Sequence, residues 1–213
     1  MGDTAGQTAR KVDFVHLHNH SHYSLLDGLQ KVPQMLDRVQ KLGMGAAALT
    51  DHGTLSGAIE FYQEATRRGI KPIVGSEVYV APRGMEDKSG KQDANPYHLI
   101  LLAHNNQGYQ NLMRIVTEGH LRGFYYKPRV DRQLLEQYSE GLTVLSACAS
   151  GEVARHILNS DLAQAAETID WYKNVFGPQN YFLELQDHEE WETQKVINSG
   201  LFELAKTTST PMV

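Results

Sequence analysis

The sequence has only one cysteine, Cys148, among its 213 residues. A single thiol excludes an internal disulfide framework and is typical of a reducing compartment, so we expect a cytoplasmic protein. No apolar run approaches the roughly 18–20 residues that cross a bilayer, so we expect no membrane partner. Residues 1–11 lack the apolar stretch of a secretory signal, and we expect them to form a flexible N-terminal tail.

An excess of basic residues is also missing. Lysine and arginine together number 20 against 25 acidic residues, which gives a formal net charge of −5. This is not the charge balance of a protein that coats duplex DNA. A negatively charged substrate would instead need local positive charge, which bound metal ions can supply.

The glycine-rich phosphate turn of a dinucleotide-binding fold is absent as well. The stretch "GMGAAA" (43–48) precedes an apolar run, whereas such a turn follows a strand. Polar residues instead come close after several of the apolar runs, as in β/α barrels, where the chemistry lies on loops that leave different strands.

Apolar runs alternate along the chain with amphipathic patterns, which predicts an α/β fold with a parallel sheet and crossover helices. The predicted strands are 13–17, 46–50, 72–80, 98–103, 142–146 and 181–185. The predicted helices are 31–42, 56–68, 107–121, 150–158, 161–176 and 189–208. The chain ends on "TPMV", where a seventh strand would begin. We therefore expect one domain over 12–213, a β/α barrel that is incomplete at its C-terminus.

The longest irregular segment is "APRGMEDKSGKQDANPY" (81–97), between the third and fourth predicted strands. It is rich in glycine, aspartate and lysine, and we expect a mobile, exposed loop.

The stretch "HLHNHSHYSLLDG" (16–28) contains four of the ten histidines of the chain. Neutral imidazole is the commonest protein metal ligand, and residues i and i+2 of a strand point to one face. His16 and His18 are therefore predicted to reach one ion. The alternative is a hydrogen-bonded pair on a half-exposed strand. Asp27, which follows in "LLDG", is either a further ligand or an ordinary turn residue.

Four more candidates follow or lie within later predicted strands, and each has a structural alternative. His52 in "TDHG" could be a turn residue, with Asp51 capping the next helix. Glu77 interrupts an apolar strand, where a carboxylate is costly unless it is paired, exposed or bound to a cation. His98 and Cys148 could both be core residues. Taken together, imidazole, carboxylate and thiolate suit zinc or a comparable divalent ion.

An ordered series of motifs then identifies the sequence with a known family. The series is "FVHLHNHSHYSLLDG", "ALTDHGTLSGAIEFYQEATRRGIKPIVGSEVYVAP", "YHLILLAHNNQGYQNL", "GFYYKPRVD", "SGEVARHIL" and "GPQNYFLELQDH". With it the chain resembles the polymerase-and-histidinol-phosphatase (PHP) family, and within that family the PHP domains of bacterial replicative DNA polymerases. The resemblance implies a distorted seven-stranded β/α barrel that holds two or three divalent ions, zinc or manganese.

Carried over by motif, the resemblance implies seven metal ligands in this chain. They are His16, His18, Asp27, His52, Glu77, His98 and Cys148. The first four are also implied to act in catalysis through the bound metal. By the same match His20 and His22 are not ligands and line the rim. The Asp-x-His pair that closes the family pattern does not occur in these residues.

The resemblance implies hydrolysis of a phosphodiester as a 3′→5′ exonuclease on single-stranded 3′ ends of DNA. The implied partners are the rest of a polymerase polypeptide and other replisome subunits. The segment "YYKPRVD" offers charge and stacking to a single strand through Tyr125, Tyr126, Lys127 and Arg129, or is simply a solvated loop. Two other readings stay open: a free-standing phosphatase of a small phosphomonoester such as histidinol phosphate, and a non-catalytic module that stabilises a polymerase.

Overall fold

The computed structural model describes residues 14–25, 27–188 and 190–213. The helices are α1 (Val32–Lys41), α2 (Ala58–Arg67), α3 (Gly90–Asp93), α4 (Asn106–Leu121), α5 (Arg132–Gln137), α6 (Glu152–Leu158), α7 (Leu162–Phe176) and α8 (Glu192–Thr208). The strands are β1 (Ala46–Leu49), β2 (Lys71–Val80), β3 (Tyr97–Ala103), β4 (Phe124–Tyr125), β5 (Lys127–Val130), β6 (Leu142–Leu145) and β7 (Tyr181–Phe182). The predicted tail, residues 1–11, lies outside the described residues.

The seven strands form one sheet in the order β4-β5-β2-β3-β6-β7, and β1 pairs with β2 beside this path. The pairs β1 with β2, β2 with β5, and β6 with β7 are parallel. Strand β3 is antiparallel to both of its neighbours, β2 and β6. The predicted α/β class is confirmed, but the sheet is mixed, and the expectation of a wholly parallel sheet is wrong.

The first predicted strand, 13–17, does not form a regular ladder over its described residues. Residues 14–20 instead run beside β1, and two backbone bonds hold them there: Ala48 N–H donates to His16 O and Thr50 N–H donates to Asn19 O. The segment therefore occupies the place of a strand at this edge and brings the histidine-rich stretch against β1.

The opposite edge of the sheet is extended by the end of the chain. Val213 N–H donates to Leu183 O, Leu183 N–H donates to Pro211 O, and Leu185 N–H donates to Val213 O. Residues 211–213 thus run parallel to the segment after β7, with an isolated bridge between Met212 and Leu183. Phe14 and Val213, from the two edge segments, line the same cavity, so the sheet curls towards a barrel.

Alternation along β2 and β3 separates an inner from an outer face. Glu77 pairs with Ile100 and Tyr79 pairs with His98, which places these four residues on one face of the sheet. Val78 and the other residues of the opposite face pack against the helices. This outer layer joins β2, β3 and β6 to α4, α6, α7 and α8. A smaller cluster fills the inner face beneath the polar residues; it contains Ala48, Ile100, Leu102, Leu145 and Ala147.

Segment 81–97 is exposed over residues 88–92, as expected, but packing and hydrogen bonds anchor it on either side of that stretch. Met85 and Asp93 are buried, and the Asp93 carboxylate accepts from Arg83 and from Ser89. The guanidinium of Arg129, itself fully buried, donates to the carbonyl oxygens of Met85 and Asp93 at 2.7 and 3.0 Å. Hydrogen bonds from Arg129 to backbone carbonyls thus hold this segment against β5. The amino-acid composition of the segment could not predict such bonds.

Among the described residues, none of the helices combines the length and the apolar character that crossing a membrane requires.

Candidate metal centre

Glu77 lies at the centre of a cluster of histidines. Its carboxylate projects from the middle of β2 and is 1% exposed. Burying a carboxylate is costly unless hydrogen bonds or a cation compensate the charge. Four imidazoles, contributed by three other parts of the chain, supply that compensation on the two carboxylate oxygens.

One group forms at the side of the histidine-rich segment. His18 Nε2 lies 3.3 Å and His20 Nε2 lies 3.0 Å from Glu77 Oε2, and the two nitrogens are 3.1 Å apart. The donor atoms of His18, His20 and Glu77 are thus close enough to one another to share one metal ion.

A second group lies on the other side of the same carboxylate. His52 Nδ1 is 3.0 Å from Glu77 Oε2, and His98 Nδ1 contacts Glu77 Oε1. These three residues also bring their donor atoms within the reach of one ion. The rings of His20 and His52 stack at 4.1 Å between centroids, so the two groups form one continuous cluster around Glu77.

The strand directions explain why these side chains meet. His52 follows β1, whereas His98 is the second residue of β3. Because β3 runs antiparallel to β2, the amino end of β3 lies where the parallel strands β1 and β2 present their carboxyl ends. In the sequence, His98 therefore begins one apolar run and His52 follows another, yet both reach the carboxylate of Glu77.

Asp27 and Cys148 complete the cluster at its edges. Asp27 Oδ2 lies 2.7 Å from His52 Nε2, and its carboxylate is largely exposed. Cys148 follows β6, and its Sγ lies 3.6 Å from His98 Nδ1 and 3.9 Å from Glu77 Oε1. Six of the seven predicted ligands therefore converge around Glu77. The two at the edges, Asp27 and Cys148, both lie on loops.

His16 is the predicted ligand that lies apart. It is exposed, its ring packs edge-on against Phe14, and it belongs to neither group of potential ligands. The structure brings His20 to Glu77 in its place, although the motif comparison had assigned His20 to the rim. In the run His16, His18, His20 each successive pair has the same i, i+2 spacing, so spacing alone could not choose the register.

The electrostatics of the cluster are those of tightly coupled imidazoles and a carboxylate. Burial opposes the charge of Glu77, but hydrogen bonds from the histidines outweigh burial and hold its pKa well below the usual range. Burial likewise opposes a charged His18, yet hydrogen bonds to Glu184 and Glu77 raise its pKa to about 10. Burial and the nearby negative charge of Glu77 raise the pKa of the Cys148 thiol to about 11.

Two buried carboxylates near the cluster were missed by sequence reasoning. Glu184, just after β7, is 6% exposed and accepts from His18 Nδ1 at 2.7 Å. Asp51 is 1% exposed and accepts from Ser21 N–H, Ser21 Oγ and Ser24 Oγ, so it ties the histidine-rich segment to the loop after β1. A carboxylate within the apolar run "YFLEL" was the available signal for Glu184.

The residues that were predicted to contact single-stranded DNA have different environments. Arg129 is fully buried and its guanidinium is bonded to backbone carbonyls, so the prediction that it contacts a nucleic acid is wrong. Tyr126 is 74% exposed. The Lys127 ammonium lies 4.4 Å over the ring of Tyr79, which in turn stacks on His52.

The cluster fits divalent cations on the chemistry of its donors. Glu184 can only accept at His18 Nδ1, so neutral His18 keeps its proton at Nδ1 and its Nε2 lone pair faces Glu77 and His20. His52 Nδ1 is buried and, among the described residues, has no hydrogen-bond partner despite its 3.0 Å approach to Glu77. Electron-pair donors gathered at such distances repel one another unless protons or cations lie between them. They lie in a cavity of about 740 Å³ that opens to solvent.

The fold and this cluster are those of an α/β protein with a candidate metal centre on a curved sheet. Comparison with known proteins gives its family. The PHP domain profile matches residues 16–188, and the chain therefore belongs to the PHP domain family.

Relatives with an established description are DNA polymerase III alpha subunits. The chain is 45% identical to that of Borreliella burgdorferi over 203 residues, which cover 93% of this chain and 17% of the relative. It is 42% identical to that of Thermus aquaticus, over 95% of this chain and 17% of the relative. The chain thus spans 17% of the length of these relatives. Among solved structures, a Bacteroides vulgatus two-domain protein described as containing a PHP-like metal-dependent phosphoesterase aligns with a TM-score of 0.48. That alignment has 13% identity and covers 93% of this chain and 49% of that one.

Proposed function

We propose that the chain is the PHP domain of a DNA polymerase III alpha subunit and that it carries a metal-dependent phosphodiesterase site. The observation that supports this most directly is the convergence of His18, His20, His52 and His98 on the buried carboxylate of Glu77. The similarity to DNA polymerase III alpha subunits supports the parent protein.

We propose that the site binds two or three zinc or manganese ions. The two groups that share Glu77 hold them, with Asp27 and Cys148 at the edges. His16 is retained only as a rim residue. Divalent ions bound there would supply Lewis acidity to a phosphoryl group and neutralise the charge that develops on its oxygens. Cys148 can join the set because a cation stabilises the thiolate form against the raised pKa.

The proposed substrate is the 3′ end of single-stranded DNA, removed by hydrolysis of the terminal phosphodiester. Its proposed contacts outside the cluster are Tyr125, Tyr126 and Lys127. Exposed aromatic rings stack bases, and an ammonium attracts phosphates. The remaining polymerase polypeptide and other replisome subunits are the proposed partners, in the cytoplasm.

The test is 3′ exonuclease activity of the 213-residue chain on end-labelled single-stranded DNA, with zinc or manganese and with chelator. We expect nucleotide release that chelator abolishes and that the His18→Ala/His20→Ala double variant loses by at least about 100-fold. His104→Ala is the matched control, because the side chain of His104 is exposed and, among the described residues, bonds only Thr143.

Two results would contradict the proposal. Metal-independent release that persists in the double variant would show that another nuclease is responsible. Absence of release with either metal, in a chain that also hydrolyses no phosphomonoester, would favour the non-catalytic module.

A further inference from the structure

We infer that Glu184 is a positioning residue that fixes His18 for metal binding, a role that rests on the proposed metal site. Glu184 lies directly after β7, outside the set of predicted ligands. It is linked to the cluster through a single imidazole.

The first step of the argument is the geometry of His18. Its Nδ1 lies 2.7 Å from Glu184 Oε1, while its Nε2 faces Glu77 and His20. A carboxylate bonded to the outer nitrogen of a histidine fixes which nitrogen carries the proton and increases the basicity of the other nitrogen. Glu184 thereby keeps the proton at Nδ1 and directs the Nε2 lone pair into the cluster.

The second step is that Glu184 is itself held in place. Gln186 Nε2 donates to the same oxygen, Oε1, at 2.7 Å, and Ser146 Oγ accepts from the Glu184 backbone N–H at 2.9 Å. Asn198 on α8 donates to the backbone carbonyl of Gln186. The carboxylate is therefore positioned by the loop after β6, the segment after β7 and α8. Its fixed position in turn restricts the orientation of the His18 ring.

The third step concerns the second oxygen of the carboxylate. Glu184 Oε2 is buried and, within the described part of the chain, has no hydrogen-bond partner. A carboxylate oxygen without a partner is costly to bury unless a cation compensates it, so the position of Oε2 close to the cluster favours a bound cation. Direct ligation through Oε2 is the alternative, and the variants below distinguish the two roles.

The experiment compares Glu184→Gln and Glu184→Leu in the 213-residue chain. Both His18 Nδ1 and Gln186 donate to the same position, so the glutamine variant is expected to place its amide oxygen there and keep the bond without the charge. The leucine variant removes the acceptor. Zinc and manganese affinities are measured by competition with a chromophoric chelator. The His18 Nδ1–H resonance is followed by ¹⁵N-resolved NMR in the metal-free and zinc-loaded chain.

We expect Glu184→Leu to weaken metal binding by about 10–100-fold, the usual effect of losing an outer partner, and to abolish the protected Nδ1–H resonance. Glu184→Gln should retain the resonance and lose less than about 10-fold in affinity. Glu152→Gln is the matched control, since that carboxylate bonds Arg132 and Tyr172 and none of the cluster histidines. It should change neither readout.

Three results would overturn the inference. In the first, both Glu184 variants bind metal as tightly as the unmodified chain. In the second, they lose affinity equally while the glutamine variant keeps the Nδ1–H resonance, which would mean direct ligation. In the third, the control loses as much as Glu184→Leu. If the unmodified chain bound neither metal, the proposed function would fail, and the Nδ1–H resonance would still decide whether Glu184 fixes the proton on His18.

Discussion

At the scale of single residues, Glu77 organises the site because its two oxygens are shared by imidazoles from different parts of the chain. The carboxylate lies on a buried strand, so its position is fixed by the backbone of β2 rather than by a flexible loop. A site built on a strand holds its geometry more tightly than one built on loops alone. The histidines arranged around Glu77 are therefore the residues whose substitution should be most informative.

His20 and His16 provide a matched pair for testing the register of the histidine-rich segment. We expect His20→Ala to lower metal affinity by more than about 100-fold, because it removes a donor rather than an outer partner. His16→Ala should change affinity less than about 2-fold, since His16 is exposed and apart from Glu77. Metal content by elemental analysis and affinity by chelator competition are the measurements. A larger loss of affinity in His16→Ala than in His20→Ala would instead support the motif-based assignment, in which His16 is the ligand and His20 lies at the rim.

The identity of the site residues could be predicted from the sequence only in part. Asp27, His52, Glu77, His98 and Cys148 were predicted because each is a polar residue that interrupts or closely flanks an apolar run or a turn. The choice between His16 and His20 could not be made from the sequence, since identical spacing carries no information on which pair faces a carboxylate 57 or more residues away in sequence. That contact exists only once β1 and β2 have paired.

At the scale of secondary-structure elements, the long helices were predictable and the short elements were not. α1, α2, α4, α6 and α7 lie within one or two residues of the predicted ranges at each end. β4, β5, α3 and α5 are two to six residues long, and local patterns of that length are too short to predict. The direction of β3 was also unpredictable, because an apolar run reads the same in parallel and antiparallel pairing.

The buried guanidinium of Arg129 links these short elements, which leads to a prediction about stability. Arg129 donates to three backbone carbonyls, those of Met85, Asp93 and Gly123. Replacing it with leucine leaves these acceptors without their partner in a buried environment. We expect Arg129→Leu to lower the free energy of unfolding by about 2–4 kcal/mol, measured by urea denaturation.

Arg67→Leu is the control for this experiment. Arg67 is exposed and, within the described part of the chain, makes an ion pair only with Glu64 of the same helix. Such surface pairs contribute about 0–1 kcal/mol, so the control should unfold near the midpoint of the unmodified chain. An Arg129 variant as stable as the control would mean that segment 81–97 is not anchored through this side chain.

At the scale of the whole molecule, the cluster joins the two edges and the middle of the curved sheet. Residues 14–20, the loop after β1, β2, the start of β3 and the segment after β7 all contribute side chains. The β/α alternation of the sequence was sufficient for the fold class. The curvature that brings these five parts together was expected from the polar residues that follow several predicted strands and from the family resemblance, since no single local pattern encodes it.

Because the cluster spans the sheet, the stability of the whole chain should respond to pH in opposite ways with and without metal. Without metal, the pKa of His18 is raised to about 10 from an ordinary value of 6.5. A raised histidine pKa contributes stability that is complete below the unfolded value and is lost as the pH rises through the folded value. The pKa of Glu77 is lowered, so its contribution is present above its ordinary value of 4.5 and is lost in acid.

The free energy of unfolding of the chelator-treated chain should therefore fall steadily as the pH rises from about 6.5 to 8.5. With metal the trend should be weaker or reversed, because ligands must lose their protons to bind a cation and metal affinity rises with pH. Metal at about 100 times its dissociation constant should add about 2.7 kcal/mol. Urea denaturation at several pH values, with chelator and with zinc, measures both curves. Parallel curves would mean that the cation does not displace the protons of the histidines around Glu77, and the cluster would then be a network of ion pairs rather than a metal centre.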